Sequence, residues 1–582
     1  MTDIRRTLLW VVFVMSLVLL WDAWNKHNGH PTLFGVATPT AAGAASGAAR
    51  GAAGASAAGV PAPATAQAVP GVAGPAGVAA TSPSGSATAL PGEKVTITTD
   101  LVKATFDSIG GTLVHLELLA YKDLVDPTRP VVLFDRSDKR VYLAQTGLIS
   151  AQGGVTLPNH LTPMRVTSSE RELGAGHDTL VLRFESAAEG AVRLVKTYTF
   201  RRGQYTVGVR HEIVNDGAAA VAPQLYLQLA RDGAKPEGES SYYFTFTGPA
   251  MYTEEGKYKK FDFKDIAKAG AQSHGSADDG WIAMVQHYFV SAWLLPDARP
   301  RDFRTDKVDT PGMPEYYTIA MVQPLGELAP GASRTIDATL MAGPQEEYKL
   351  AALAPGLDLV KDYGWLTPLA KPLFWLLDKL HKVLGNWGWA IVALVVLLKI
   401  AFYWLNASAY RSMAKMKAVA PRVTELRERF KDKPQQMQQE MMRIYREEKV
   451  NPLGGCLPIA VQMPFFIALY WVLLSTVEMR QASWFYITDL AQPDKLFGVL
   501  PFIHMPLGPL PLLMTASSLF QVWLNPRPPD PMQARMMWLM PLAFGFMFFF
   551  FPAGLVLYWL TNNLLSIAQQ WVINRKLGVI GK

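Results

Sequence analysis

Five apolar runs crowd the last third of this 582-residue chain, at residues 387–405, 457–477, 507–524, 536–551 and 555–572. A segment inside a bilayer must satisfy its backbone N–H and C=O groups internally, so runs of this length and composition are expected to fold as membrane helices. A sixth run, residues 8–21, follows Arg5 and Arg6. It reads as an uncleaved anchor over residues 1–24, because Trp21, Asp22 and Trp24 stand where small cleavage-site residues would be needed. The predicted class is therefore a polytopic α-helical membrane protein with six transmembrane helices. The run 536–551 has only 16 residues, about 24 Å of helix against a hydrocarbon core of about 30 Å, so the surrounding bilayer is expected to thin.

Loop charges orient these helices. The 406–455 loop carries Arg411, Lys415, Lys417, Arg422, Arg427, Arg429, Lys431, Lys433, Arg443, Arg446 and Lys449. The 478–506 loop has only Arg480 and Lys495 as strong cations. Positive-inside asymmetry places the first loop, both termini and the tail 575–582 in the cytoplasm. Residues 25–386 then lie outside, in a periplasm if the cell is Gram-negative.

That outer region has three parts. Residues 25–92 are dominated by Ala, Gly, Pro, Ser and Thr, too little apolar surface to offset chain entropy, and read as a flexible linker. Residues 93–345 alternate in runs such as TLVLRFES and AVRLVKTYTF, punctuated by turns such as Asn215-Asp216-Gly217. This pattern predicts one large antiparallel β-sandwich. Residues 346–386 read as a linker plus an amphipathic interfacial helix, with Phe374, Leu377, Leu380 and Leu384 at helical spacing and Lys379 and Lys382 on the other side.

The net charge of +7 sits mostly in one loop, which suits a membrane surface and gives no reason to expect a specific nucleic acid. The single cysteine, Cys456, rules out an intrachain disulfide. No phosphate-binding glycine loop, zinc signature or CxxC pair occurs, so no cofactor, metal or chemical catalysis is expected.

One residue breaks the apolar pattern. Lys399 lies inside the 387–405 run, where a charge costs roughly 2.5–3.5 kcal/mol at a helix centre. On a straight helix, Tyr403, Asn406 and Tyr410 continue its line toward the cytoplasmic end. The last run bears Tyr558, Asn562 and Ser566, with Gln569 and Gln570 beyond. The third-from-last bears Ser517, Ser518 and Gln521, and the 457–477 run bears Gln462. Each polar residue alone could be interhelical hydrogen-bond glue, and Lys399 could snorkel to headgroups. Their joint weighting toward one end predicts a shared polar groove open to the cytoplasm. The 406–453 segment reads as a helical hairpin of stretches near 408–431 and 434–449. Arg422, Arg427, Arg429 and the Met437, Met441, Tyr445 face are its candidate docking groups.

Several stretches are highly specific: SMAKMK (412–417), QEMMRIYREEKVNPLGGCLPIAVQMPFFIALYWVL (439–473), VEMRQA (477–482), DPMQ (530–533) and FPAGLVLYW (551–559). They resemble the YidC/Oxa/Alb family of membrane protein insertases, in its Gram-negative YidC form. The resemblance implies a five-helix core, 387–574, and a periplasmic β-super-sandwich similar to sugar-mutarotase folds. It also implies a cationic groove residue, typically arginine in bacterial relatives and Lys399 here. Val395 stands where a threonine can occur. Tyr558 and Trp559 match paired aromatics on the substrate path. The implied activity is insertion and folding of nascent membrane proteins in the inner membrane, alone or beside the Sec translocon. Ribosomes or targeting factors are the implied cytoplasmic partners. A small-solute transporter is the rival reading, weakened by the absence of an internal repeat.

Overall fold

The computed structural model describes residues 92–150, 156–239, 245–309, 314–430, 433–448, 457–501, 505–525 and 531–576. The expected anchor, nearly all of the linker and the end of the tail lie outside the described residues.

The alternating segment folds as two nine-stranded antiparallel sheets. The strands are β1 (Lys94–Thr98), β2 (Val102–Asp107), β3 (Thr112–Lys122), β4 (Pro130–Arg136), β5 (Val141–Ser150), β6 (Met164–Val166), β7 (Thr179–Ser186), β8 (Val192–Arg201) and β9 (Thr206–Asn215). There follow β10 (Pro223–Asp232), β11 (Gly248–Tyr252), β12 (Lys259–Lys260), the short helix α1 (Phe263–Ala269), β13 (Gln272–Ala277), β14 (Trp281–Val285), β15 (Phe289–Leu294), β16 (Arg301–Val308), β17 (Tyr316–Pro324) and β18 (Ser333–Pro344). One sheet runs β1-β2-β3-β4-β5-β10-β17-β16-β13 and the other β12-β11-β14-β15-β18-β9-β8-β7-β6. Outer strands such as β7 alternate, with Leu180, Leu182 and Phe184 turned inward. Central strands β5, β10 and β17 are buried along nearly their whole length.

Polar groups stitch the two sheets together. Lys196 on β8 is fully buried, and its Nζ donates to the carbonyls of Gly110 and Thr146, both at 2.7 Å. His211 meets Thr146 Oγ1 at 3.0 Å, and His160 meets the Tyr226 hydroxyl. Burial holds His160 and His211 down at about 3 and His287 at about 4. Burial also lowers Lys196 to about 7. A histidine with a depressed folded value stays neutral while the unfolded chain takes up its proton below about 6.5. Stability must therefore fall as pH falls from about 6.5 toward 4, by roughly 1.4 kcal/mol per pH unit for each of the three. Lys196 acts with the same sign between about 10.5 and 7. Thermal melts of the β domain signal in the full-length protein should show a steep loss of midpoint between pH 6.5 and 4.5. His160→Asn with His211→Asn should flatten that dependence. A pH-independent midpoint over this window would contradict the assignment.

After the sandwich the chain is not a free linker. Helix α2 (Glu347–Leu353) and a short 3₁₀ turn, Leu357–Val360, lead to α3 (Thr367–Leu384). Helix α3 buries Ala370, Leu373, Phe374 and Leu377. They join one apolar cluster with α4 (Trp387–Ala401) and α7 (Leu457–Ser475). The remaining helices are α5 (Tyr403–Arg429), α6 (Pro434–Glu447), α8 (Pro509–Leu524), α9 (Pro531–Phe548) and α10 (Ala553–Lys576). Among the described residues no single helix is long and apolar enough to cross a membrane by itself. Helices α4 and α5 pass that test only together, bent by 66° at Phe402. The straight helix expected through Lys399, Tyr403, Asn406 and Tyr410 is thus broken after Ala401. The hairpin expectation meets α5, which runs through Pro421, and α6. Val419 and Val423 pack there against Met441, Ile444 and Tyr445.

The β-sandwich and the helices share a joint. Val477, directly after α7, is completely buried within the β core cluster. His287 on the β14–β15 turn meets the carbonyl of Leu474 at 2.9 Å, one of the orphan acceptors at the end of α7. Arg480 Nη2 donates to the carbonyl of Lys122 at 2.6 Å, and its guanidinium lies 5.2 Å from the Tyr288 ring.

Candidate functional site

Lys399 occupies the last turn of α4, where a cation complements the helix dipole. Its Nζ donates to Ser566 Oγ on α10 at 2.7 Å. Ser566 in turn donates to the carbonyl of Asn562 at 2.7 Å. Tyr410, carried on α5 beyond the bend, lies near the same serine. Gln569 Nε2 donates to the carbonyl of Tyr403 at 3.3 Å. These contacts tie α4 and α5 to α10. Beside them opens a hollow of about 290 Å³. Lys399, Tyr403 and Gln569 supply its polar lining, while Val396, Ile400 and Leu565 are among its apolar walls.

The structure does not gather every expected residue into this hollow. Ser517 and Ser518 on α8 accept from Asn563 Nδ2 at 3.3 and 2.8 Å. Gln570 Nε2 donates to Asn525 Oδ1 at 3.1 Å. This second polar seam joins α8 to the other flank of the same α10 face. Gln521 uses its backbone carbonyl to end α8 at Asn525. Gln462 is half-buried on α7. Tyr558 is buried near Phe466, and Trp559 packs 4.9 Å from Phe466 and 4.3 Å from Phe548. Those two aromatics act as wall and packing rather than as lining of the hollow. Asn406 is buried, and its Nδ2 has no protein partner among the described residues, nor has Gln570 Oε1. Buried polar atoms of this kind are ordinarily satisfied by water.

In the hairpin, Arg422 Nη1 pairs with Glu448 Oε1 at 2.6 Å across the two arms, and Arg429 is exposed. The Arg427 side chain lies outside the described residues. Met437 is half-buried, and Met441 and Tyr445 pack onto the Val419–Val423 pair. Asn563 and Asn525 were absent from the expected set. The signal for Asn563 was present, three residues before Ser566 and seven before Gln570.

Comparisons with known proteins divide the chain within α3. Residues 94–376 match the family described as the YidC periplasmic domain, and residues 379–579 match the 60Kd inner membrane protein family. The membrane protein insertase YidC of Janthinobacterium sp. (strain Marseille) is 50% identical over 580 residues, covering 99% of this chain and 100% of that one. That of Cupriavidus metallidurans is 53% identical over 577 residues, covering 99% and 98%. A solved structure of an active YidC insertase is 17% identical, covers 82% of this chain and 93% of that one, and aligns with a TM-score of 0.35. The relatives give no support to the transporter alternative. With half of its residues identical to insertases along their full length, the chain belongs to the YidC family of membrane protein insertases, inner-membrane proteins with a periplasmic β domain.

Proposed function

We propose that the hollow beside Lys399 is where an incoming segment is held on its way into lipid. The observation that carries this reading is the direction of the ammonium, which is aimed inward at Ser566 on α10 beside an open space. A polar or acidic flank of a nascent membrane protein enters from the cytoplasmic side and is attracted to Lys399. The apolar part of the segment rests on Val396, Ile400 and Leu565 and then leaves sideways, driven by burial at about 25 cal/mol per Å². No covalent step is involved.

The same reading sets the topology: multi-pass, both termini and the hairpin in the cytoplasm, with α4–α5, α7, α8, α9 and α10 as the core. The short helices α8, of 16 residues, and α9, of 18, suit a locally thinned bilayer. The hairpin and basic tail are the docking candidates for ribosomes or targeting factors, and the core works alone or beside the Sec translocon.

Photoreactive side chains at positions 403 and 569, against a control at lipid-facing Leu512, test this with a stalled nascent membrane protein. Adducts should concentrate at 403 and 569. Equal labelling at all three sites, or labelling at 512 alone, would remove the hollow from the substrate path.

A further inference from the structure

The segment between α7 and α8 is built as a firm platform. The Trp484 and Ile487 backbones exchange hydrogen bonds at 2.8 and 2.9 Å. Asn386 Nδ2 donates to the carbonyl of Ser483 at 2.8 Å. Gly388 on α4 leaves room for the Trp484 ring, since a Cβ there would come within 2.3 Å of it. Asp494, buried, accepts from the Tyr486 hydroxyl at 2.9 Å and from the N–H of Leu510 at 2.9 Å. Gln492 and Leu490 accept from the first N–H groups of α10. The segment is thereby fastened to α4, α8 and α10.

Its outer surface nevertheless displays apolar side chains. Phe485 is 74% exposed and Phe497 62%, with Leu496, Val499 and Leu500 also exposed. Phe485 is held at φ 49, a left-handed conformation that is strained for an aromatic residue. Its ring leans on Trp484 at 4.6 Å and Trp389 at 5.5 Å. In water, the exposed rings would work against this arrangement. Charge is scarce here: residues 481–508 contain Asp489, Asp494 and Lys495. Asp494 is buried and Asp489 is partly buried, capping the N–H of Ala491. Lys495 is fully on the surface. The apolar rim also continues onto exposed Trp389 in the first turn of α4 and exposed Leu512 and Leu513 in the first turn of α8.

We infer that this segment is seated in the outer leaflet of the bilayer rather than in periplasmic water. Phe485, Phe497 and Trp389 lie at the boundary of headgroups and acyl chains, where aromatic rings are favoured. Lys495 reaches lipid phosphate. The occupant of the rim is therefore lipid. The inference rests on the multi-pass reading above.

Spin labels at Phe485→Cys and Phe497→Cys, in full-length Cys456→Ser protein reconstituted into phosphatidylethanolamine–phosphatidylglycerol vesicles, test it by collision with oxygen and with a water-soluble nickel chelate. Leu513→Cys is the reference for lipid and Asp178→Cys the reference for water. Positions 485 and 497 should show an oxygen-to-nickel ratio several-fold above that at 178 and below that at 513. Water-like values at 485 and 497 with a lipid-like value at 513 would overturn the inference and leave the multi-pass reading standing. Protection from both reagents would assign the rim to a protein partner and also overturn it. A water-like value at 513 would overturn both.

Discussion

Lys399→Glu should lower the insertion rate of a substrate with an acidic flank by at least tenfold, while Lys399→Arg keeps it near that of the unaltered protein. Two unit charges 4 Å apart interact by about 4 kcal/mol at an effective dielectric constant of 20. Reversing the sign at Lys399 turns that attraction into repulsion, and even 1.4 kcal/mol surviving solvent screening is a factor of ten. Lys399→Ala should fall between the two, because it removes attraction without adding repulsion. Ser566→Ala should change the rate by little, since Nζ loses one hydrogen bond but keeps its charge. The measurement is protease protection of a membrane protein inserted into proteoliposomes, run in parallel with a neutral-flank version. The neutral version should be almost indifferent to all four changes. If Lys399→Glu affected both substrates equally, the charge would not be acting on the flank.

The second large effect is expected at the joint between the β-sandwich and the helices. Lys361 is buried at 2% exposure. Its Nζ lies 3.5 Å from Glu478, 3.9 Å from Glu347 and 3.8 Å from the centre of the Phe374 ring. Glu347 also accepts from the Tyr363 hydroxyl at 2.7 Å, and burial raises its pKa even though Lys361 works in the other direction. Removing one partner of a buried ion cluster leaves uncompensated charge and typically costs about 3–5 kcal/mol. Lys361→Met should therefore lower stability by that order, with new proteolysis between residues 354 and 366 and a parallel loss of insertion. Adding Glu347→Gln and Glu478→Gln should recover most of the loss, because a neutral cluster of similar shape carries little penalty. Failure of that rescue would mean that the charge balance around Lys361 is not what holds the joint.

Much of this architecture was readable from the chain. Apolar length marked the helical third, and the period-two alternation of TLVLRFES marked a half-buried strand. The cost of Lys399 in an apolar run pointed to an interior partner for its ammonium. All three are local properties, written in consecutive residues and enforced by backbone satisfaction and solvent exclusion. The hairpin at Met441, Ile444 and Tyr445 was legible for the same reason.

What was not legible is who meets whom. Lys399 and Ser566 are 167 residues apart, and no periodicity in either helix selects the other. The break at Phe402 reroutes the line from Lys399 to Tyr410. Ser517 and Ser518 carry the same helical signal as Ser566 yet turn to Asn563, because α8 and α4 lie along different flanks of α10. Val477 reads as the end of an apolar run but completes the β core. The chain alone determined that there would be membrane helices, a β-sandwich and a stranded cation. Only tertiary packing decided that the cation faces a hollow, since orientation and partner depend on how whole elements fill space against each other.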